Sequence, residues 1–152
     1  MICRTTDSVS RTRRSAIMRA VRSRGNRGTE ITLIRILRHH KITGWRRHLD
    51  VFGNPDFIFK KSKLALFVDG CFWHGCSQHC RMPKTNCGYW RPKITSNKRR
   101  DRSVNRALKK AGWRVVRIWE HELTRKNQHR CIARLCRILS DDRTTQQAFR
   151  RR

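Results

Sequence analysis

The chain has 152 residues, and its 38 Lys and Arg against 10 Asp and Glu give a formal net charge of +28. A chain of this length can bury the core of one domain. Self-repulsion at such a charge opposes a compact state, so a polyanion, most simply nucleic acid, is the expected partner. Histone-like and ribosomal proteins share this charge but seldom need a Cys/His-rich segment, which disfavours a purely packaging role.

Other features of the sequence argue against secretion and against a membrane span. No apolar N-terminal stretch precedes a cleavage site, and no apolar run approaches the roughly 18 residues that a spanning helix needs. The number of cysteines, 7, is odd, and those between Cys71 and Cys87 are interspersed with histidines. In a reducing compartment this clustering indicates metal binding rather than disulfides. We therefore expect a cytoplasmic protein.

The first predicted element is a basic N-terminal arm, residues 1–28, that binds DNA. Arginines are dense between Arg4 and Arg27. A short amphipathic helix is predicted over Ser8–Arg24, with Met18 and Val21 on its apolar side.

Residues 29–140 are predicted to form one α/β domain, a mixed sheet flanked by helices. Apolar periodicity and turn signals set the boundaries, with Thr29 as an N-cap and Gly112 as a helix stop. The polar and basic residues 141–152 are expected to be a disordered tail. The predicted elements are a helix Thr29–His40, strands Trp45–Leu49, Asp56–Phe59 and Leu64–Val68, a helix Tyr89–Ala111, a strand Trp113–Trp119 and a helix Arg130–Leu139.

Two acids lie at the ends of predicted strands. Asp56 follows Pro55 and opens an apolar strand, and Asp69 ends the next one. In adjacent strands their carboxylates would converge on one Mg²⁺ ion, as in a nuclease, with Glu30 of the first helix nearby. The plain alternatives are a turn-initiating Asp held by backbone amides for Asp56 and ordinary helix-dipole chemistry for Glu30.

The segment from Asp69 to Cys80 combines thiols, imidazoles and large aromatics, a mixture that no hydrophobic core requires. Its Cys and His spacings suit a tetrahedral Zn²⁺ site, which His121 after the last strand is placed to complete. His74 is either a further zinc ligand or a general base near a scissile phosphate. The predicted zinc ligands are Cys71, Cys76, His79 and His121, with Cys80 as the substitute for His79.

Several motifs occur in a fixed order along the chain, and with them the sequence resembles the very short patch repair endonucleases over about Met18 to Leu123. The resemblance implies a divergent restriction-endonuclease core of the PD-(D/E)XK type with a structural zinc, so that residues 29–140 would be the endonuclease domain. The motifs are Asn54-Pro-Asp56, Asp69-Gly-Cys-Phe-Trp-His74, Tyr89-Trp90, Arg99-Arg-Asp-Arg102 and Gly112-Trp-Arg-Val-Val116 through Trp119-Glu120.

The activity that the resemblance implies is Mg²⁺-dependent nicking of double-stranded DNA. The enzyme would recognise a T:G mismatch produced by deamination of 5-methylcytosine and would cut 5′ to the mismatched T. It would act as a monomer, associated with the bacterial nucleoid, with downstream repair proteins as further partners. A restriction-type nuclease of another specificity and a zinc-bearing DNA-binding protein without catalysis remain the alternatives.

The resemblance also implies roles for individual residues. Asp56 matches the metal-binding catalytic aspartate, His74 the catalytic imidazole, and Glu30 the helix acid that helps to organise metal-bound water. Val68 would give Mg²⁺ a backbone carbonyl, while Asp69 stands where some members have His. The lysine of the parent nuclease motif is absent, so activation of water would depend on the imidazole and the metal.

The DNA contacts follow from the same resemblance. Phe72, Trp73 and Trp90 match the aromatics that wedge into the duplex beside the mismatch, where a weakly stacked step opens easily. The plain alternative is that a ring belongs to the core, above all that of Trp90. Met18 and Val21 match the family's arm that enters the minor groove.

Overall fold

The computed structural model describes residues 26–84 and 86–149, together with Ser10 and Thr12. The helix predicted over Ser8–Arg24 lies outside the described residues except for Ser10 and Thr12. Met18 and Val21 are therefore not described either. The elements in chain order are a π-helical turn Arg27–Ile31, α1 (Thr32–His39), β1 (Trp45–Arg46), β2 (Phe57–Phe59), β3 (Leu64–Asp69), α2 (Cys87–Lys110), β4 (Arg114–Trp119), a 3₁₀ turn Glu120–Leu123 and α3 (Gln128–Phe149).

The strands form one mixed sheet in the order β1-β2-β3-β4. The first two pairings are antiparallel, and β3 pairs with β4 in parallel. A parallel pair requires a crossover connection, which the Cys/His-rich segment and α2 supply. Because β3 and β4 run in the same direction, their carboxyl ends meet at one edge of the sheet, with Asp69 opposite Trp119. The predicted mixed sheet flanked by helices is confirmed.

The sheet is covered on both faces, which explains the continuous apolar run of β3. On one face, Leu37 of α1 and Leu135 of α3 pack with Phe57 and Leu66. On the other face, Leu108 of α2 packs against alternate residues of the strands. Asp69 ends β3 and is only 3% exposed, so its carboxylate needs partners within the protein.

Two boundaries near the N-terminal end differ from the predictions. Asn26, rather than Thr29, caps the first helical segment, and its Oδ1 accepts a hydrogen bond from the N–H of Gly28 at 2.8 Å. Both residue types are good N-caps, and the extra π-helical turn selects the earlier one. The strand predicted over Trp45–Leu49 ends at Arg46, and His48 adopts a left-handed conformation with φ of 55°.

The helices that follow the sheet also differ in length from their predictions. The second begins at Cys87 rather than Tyr89 and ends at Lys110, one residue earlier than predicted, before Gly112 with its φ of +78°. The third was expected to end at Leu139 before a disordered tail, but it continues to Phe149. The proposed domain limits themselves stay a prediction. Among the described residues, no helix combines the length and the apolarity needed to cross a bilayer.

Candidate active site and metal cluster

A cleft of about 430 Å³ lies at the edge of the sheet where β3 ends. Four of the chain's 10 acids line it, although the protein carries a net charge of +28. These acids come from distant parts of the sequence and converge because the π-helical turn, the approach to β2, the end of β3 and α2 meet here. The acids are Glu30, Asp56, Asp69 and Asp101.

Asp56 lies immediately before β2, and its Oδ2 accepts a hydrogen bond from the N–H of Val68 at 2.7 Å. The amide belongs to the neighbouring strand, so Asp56 is not simply a turn residue bonded to its own turn. Burial raises the pKa of Asp56 to about 6 despite this hydrogen bond, and the charges of Glu30 and Asp69 raise it further. A carboxylate that is hard to ionise in this setting would be stabilised by a cation.

Glu30 is buried, with 4% exposure, and borders the cleft. It forms an ion pair with Arg47, whose charge in turn lowers the pKa of Asp56. Glu30 thus has a specific partner in the fold, whereas an acid that acts only through the helix dipole would ordinarily face solvent. Arg47 was not identified from the sequence, because nothing in its local pattern sets it apart from other arginines.

Asp69 has a partner that was not foreseen. Arg117 of β4 donates from Nη1 to both oxygens of Asp69, at 2.7 and 2.8 Å. The sequence suggested that Asp69 and Asp56 jointly bind one metal ion. Both carboxylates do line the same cleft, but the charge of Asp69 is already compensated by the guanidinium.

His74 makes its closest contact with an acid rather than with the thiols. Its Nδ1 lies 2.6 Å from Oδ2 of Asp101 and 3.6 Å from Oδ1 of Asp69. Burial raises the pKa of Asp101, but its hydrogen bond and charge interaction with His74, together with Arg117, outweigh burial and lower the pKa overall. An ionised Asp101 accepts the Nδ1 proton, which leaves Nε2 as the proton-accepting nitrogen of a neutral ring.

Asp101 was not identified as a site residue from the sequence, although a signal was present. It is the single acid in the basic helix α2, which contains Arg99, Arg100 and Arg102 around it. An isolated carboxylate among arginines on a helix is ordinarily a surface ion pair. Only the packing of α2 over the end of β3 shows that Asp101 faces His74.

The four predicted zinc ligands come together in the structure. Their ligand atoms all lie within 4.8 Å of one another. The Sγ of Cys71 is 3.2 Å from Nδ1 of His121, and the Sγ of Cys76 is 3.8 Å from Nδ1 of both His79 and His121. Ligands of a tetrahedral Zn²⁺ stand roughly 3.5 Å apart, given metal–ligand bonds of about 2.0–2.3 Å. The donor set and its spacing therefore fit zinc.

The alternatives for this cluster can be compared with the geometry. Cys80 directs its Sγ to the backbone carbonyl of Phe72 at 3.6 Å, and neither Cys80 nor His74 belongs to the group. Glu120 supports the cluster from outside, because its Oε2 accepts a hydrogen bond from the N–H of Cys71 at 3.2 Å. Glu120 was also missed at the sequence level.

Three aromatic side chains, two from the segment between Cys71 and Cys76 and one from α2, pack edge-to-face on one another. Ring centroids are 5.3 Å apart for Phe72 and Trp73, 5.1 Å for Phe72 and Trp90, and 5.8 Å for Trp73 and Trp90. Each ring is half-buried, and none of the three belongs to either core cluster of the described residues. Trp90 is therefore not a core residue, and Tyr89 beside it is 45% exposed.

The backbone between the zinc-type ligands is closely confined. Gly75 has a φ of +63°, and a Cβ there would lie 2.8 Å from Cγ2 of Ile94. The side-chain amide of Asn97 donates to the carbonyl of Trp73 at 2.9 Å. Helix α2 thus holds the segment 72–75 in one conformation, which fixes His74 and the rings relative to each other.

Comparisons with known proteins point to one family. The family model for the DNA mismatch endonuclease Vsr matches residues 6–81. The chain is 42% identical over 123 residues to the Type II nicking enzyme V.XorIIP of Xanthomonas oryzae, covering 78% of this chain and 88% of that protein. It is 36% identical over 142 residues to the Type II nicking enzyme V.NmeDIP of Neisseria meningitidis, covering 89% and 91%.

Two further relatives match over a shorter stretch. The Type II nicking enzyme V.NaeI of Lentzea aerocolonigenes is 57% identical over 68 residues, which is 45% of this chain and 41% of that protein. The DNA mismatch endonuclease Vsr of Escherichia coli is 39% identical over 71 residues, which is 45% of this chain and 44% of that protein. In these two alignments the chain spans less than half of the relative's length.

Proposed function

Because the chain belongs to the DNA mismatch endonuclease Vsr family and is a DNA endonuclease, we propose that it nicks duplex DNA 5′ to the T of a T:G mismatch, with Mg²⁺ as the catalytic metal. The mismatch would arise from deamination of 5-methylcytosine. The observation that supports this best is that an aromatic side chain and a proton-accepting imidazole are neighbours in the cleft. Trp73 lines the cleft as part of the aromatic cluster, and the next residue, His74, pairs with Asp101.

The carboxylate of Asp56 and the backbone carbonyl of Val68 would hold the catalytic metal. When bound there, Mg²⁺ would polarise the scissile phosphate and offset the charge that develops on it. The pKa of Asp56, raised to about 6, supports this assignment, because a carboxylate surrounded by Glu30 and Asp69 is stabilised by a cation. Arg47 only partly offsets the surrounding negative charge.

His74 would accept the proton of the attacking water at Nε2. Asp101 holds Nδ1 at 2.6 Å and would stabilise the imidazolium that forms. Glu30, fixed by Arg47, would orient the water from the other side of the cleft. The lysine of the parent nuclease motif is absent, so the imidazole of His74 would serve as the general base.

Phe72, Trp73 and Trp90 would insert beside the mismatch. A T:G pair stacks less well than a matched pair, so opening the step there requires less free energy. The three rings are mutually supported and half-exposed, which is the arrangement an inserted wedge needs. Positive charge for the phosphate backbone is available on α2, where Arg99, Arg102 and Arg106 are exposed.

Zn²⁺ would be held by Cys71, Cys76, His79 and His121. Its role would be structural, because all four positions of a tetrahedral ion are taken by the protein. The ion would tie the segment after β3 to the turn after β4 and thereby hold the rings and His74 in place. Burial raises the pKa of Cys71, an effect that a bound cation would reverse.

The remaining parts of the proposal concern regions beyond the site. Residues 1–28 would form a DNA-binding arm with Met18 and Val21 in the minor groove, and residues 29–140 would be the endonuclease domain. The protein would act as a monomer on DNA in the bacterial cytoplasm and would hand its nicked product to repair proteins. The second candidate function is sequence-directed nicking of matched DNA, which the names of the relatives called Type II nicking enzymes favour.

One experiment separates these functions. The purified protein is incubated with matched, T:G and other mismatched duplexes, with Mg²⁺ or with EDTA, beside the variant Asp56→Asn. We expect nicking of the T:G duplex alone, lost with EDTA and in the variant. Equal nicking of matched DNA that still needs Mg²⁺ would sink the repair proposal in favour of sequence-directed nicking. Tight binding without any cleavage would overturn both.

A further inference from the structure

We propose that Arg117 is a positioning residue of the endonuclease, one that joins Asp69 to Asp101 and thereby fixes the direction in which His74 faces the cleft. The inference rests on the proposed role of His74 as the base. It also assigns Asp69 a different part from metal binding, namely that of an anchor for the guanidinium.

The contacts of Arg117 form a chain that ends at the imidazole. Its Nη1 donates to both oxygens of Asp69, at 2.7 and 2.8 Å, and its Nη2 lies 3.2 Å from Oδ1 of Asp101. The other oxygen of Asp101, Oδ2, is the one that meets Nδ1 of His74 at 2.6 Å. Each oxygen of Asp101 therefore has its own partner, and the carboxylate plane cannot turn without breaking one of the two contacts.

The hydrogen-bonding capacity of Arg117 is nearly exhausted within the protein. A guanidinium has five N–H donors and no acceptor. Nη1 serves Asp69, Nη2 serves Asp101, and Nε donates to Oδ1 of Asn105 at 3.0 Å. Two aligned donors for a bidentate grip on a DNA phosphate are therefore not left over. Arg117 acts on the reaction through Asp101, not by contact with substrate.

The guanidinium is also held from the side. Arg117 pairs with Phe67 across the parallel strands, and its guanidinium carbon lies 4.5 Å from the centroid of the Phe67 ring. This stacking defines the plane of the fork. Lysine in this position would supply the charge but neither the fork nor the stacking geometry.

Electrostatics give a second reason for an arginine here. Asp69 and Asp101 both approach Nδ1 of His74, so two carboxylates share a small volume at low exposure. Two like charges so close together repel each other. Arg117 lies between the two carboxylates, and its positive charge attracts both of them and holds them beside the ring.

The test measures single-turnover nicking and DNA affinity separately for Arg117→Ala and Arg117→Lys. Arg114→Ala is the matched control, because Arg114 lies on the same strand and the alternation of side chains along a strand places it on the other face of the sheet. We expect Arg117→Ala to lower the nicking rate by about 100-fold, as a misplaced catalytic group does, with DNA affinity within about 2-fold. Arg117→Lys should recover little of the rate. Guanidinium ion added to Arg117→Ala, well below denaturing concentration, should restore part of the lost nicking rate, while methylammonium should not.

Two results would overturn the inference. One is an unchanged nicking rate in Arg117→Ala; the other is a loss confined to DNA affinity that guanidinium does not reverse. Thermal unfolding of each variant shows whether it is folded. If Arg117→Ala does not fold, the comparison between Arg117→Lys and wild type decides: a rate in Arg117→Lys equal to that of wild type would refute the need for a fork.

A spectroscopic measurement keeps this inference distinct from the proposed function. In protein labelled with ¹⁵N-histidine, the Nδ1–H of His74 should give a strongly downfield proton signal because of its short bond to Asp101. We expect that signal to be lost in Arg117→Lys and kept in Arg114→Ala. If wild type nicks no duplex, the proposed function fails while this result still decides on Arg117. A signal that persists in Arg117→Lys would contradict the positioning role even in an active enzyme.

Discussion

The segment after β3 serves two neighbouring regions that are built on opposite principles. The Cys/His cluster brings together two cysteine sulfurs and two imidazole nitrogens, all within 4.8 Å of one another, and includes no arginine. The cleft balances four carboxylates against arginines and one imidazole through individual hydrogen bonds. A cluster of the first kind depends on all its members at once, whereas a network of the second kind allows graded effects. Variants in the two regions should therefore differ in how sharply they lose activity.

The largest effect is expected at Asp56. Asp56→Asn keeps an oxygen for the Val68 amide but removes the negative charge, so nicking of a T:G duplex should fall by about 1000-fold or more. Single-turnover rates at saturating Mg²⁺ measure this. Asp50→Asn, at an exposed position outside the cleft, is the control and should nick normally. Retained activity in Asp56→Asn would show that the metal is held elsewhere.

The Cys/His cluster should respond in an all-or-none manner. Cys76→Ala should abolish stoichiometric zinc and lower nicking about 100-fold, because the segment that carries His74 loses its anchor. Cys80→Ala is the matched control, since the Sγ of Cys80 hydrogen-bonds the carbonyl of Phe72 and Cys80 is not a member of the four-residue group. Metal analysis of the purified proteins gives the direct measurement. If Cys80→Ala also loses its zinc, the ligand set is wrong.

The aromatic cluster should contribute a smaller and more selective effect. Stacking of a base on an aromatic ring is worth about 1–3 kcal/mol, so Trp73→Ala should reduce the preference for T:G over matched DNA by roughly 10-fold. Nicking assays with both duplexes measure the ratio. Trp113→Ala removes a tryptophan that packs against the core under α2 and does not line the cleft, so it should leave the ratio unchanged in the folded fraction. An equal loss on both duplexes would assign Trp73 to general DNA binding.

A further effect is expected on stability rather than on activity. Burial and the neighbouring carboxylates raise the pKa of Asp56 from 3.8 to about 6 in the folded protein. Protonated Asp56 therefore favours the folded state, and this contribution is complete below pH 3.8 and is lost as pH rises through about 6. Without added Mg²⁺, Asp56→Asn should become the more stable protein near neutral pH, by at most about 3 kcal/mol. Thermal unfolding from pH 4 to 8 tests this; a pH-independent difference would refute the shifted pKa.

The same contrast explains how much of the molecule could be predicted from its sequence. Three of the four cluster residues lie in one short segment, and the spacing of Cys and His is itself the signal, so Cys71, Cys76 and His79 could be identified together. The approximate positions of the strands along the chain, though not their order in the sheet, followed from apolar runs separated by turn residues. Asp56 and His74, which both line the cleft, could be proposed as site residues because a carboxylate before a core strand and an imidazole among aromatics are unusual for their surroundings.

The remaining cleft residues could not be predicted for a physical reason. Arg117 belongs to an ordinary strand, and Asp101, although it is the single acid of a basic helix, has a neighbourhood that equally fits a surface ion pair. They meet because the parallel register places Arg117 opposite Phe67 and α2 crosses above it. The strand register and the path of the crossover are tertiary properties. The ion pairs that link Asp69, Arg117 and Asp101 can therefore be identified only once both are known.

The parallel pairing of β3 with β4 also has a kinetic consequence. The strands must find each other across the whole α2 crossover, and closing so long a loop is a slow, entropically unfavourable step. The contact between Cys76 and His121 spans the same stretch of chain, 45 residues. A metal ion bound by these residues in a partly folded chain would close the loop before the strands pair. Zinc would then accelerate folding as well as stabilise the folded state, and a chain depleted of metal would refold more slowly.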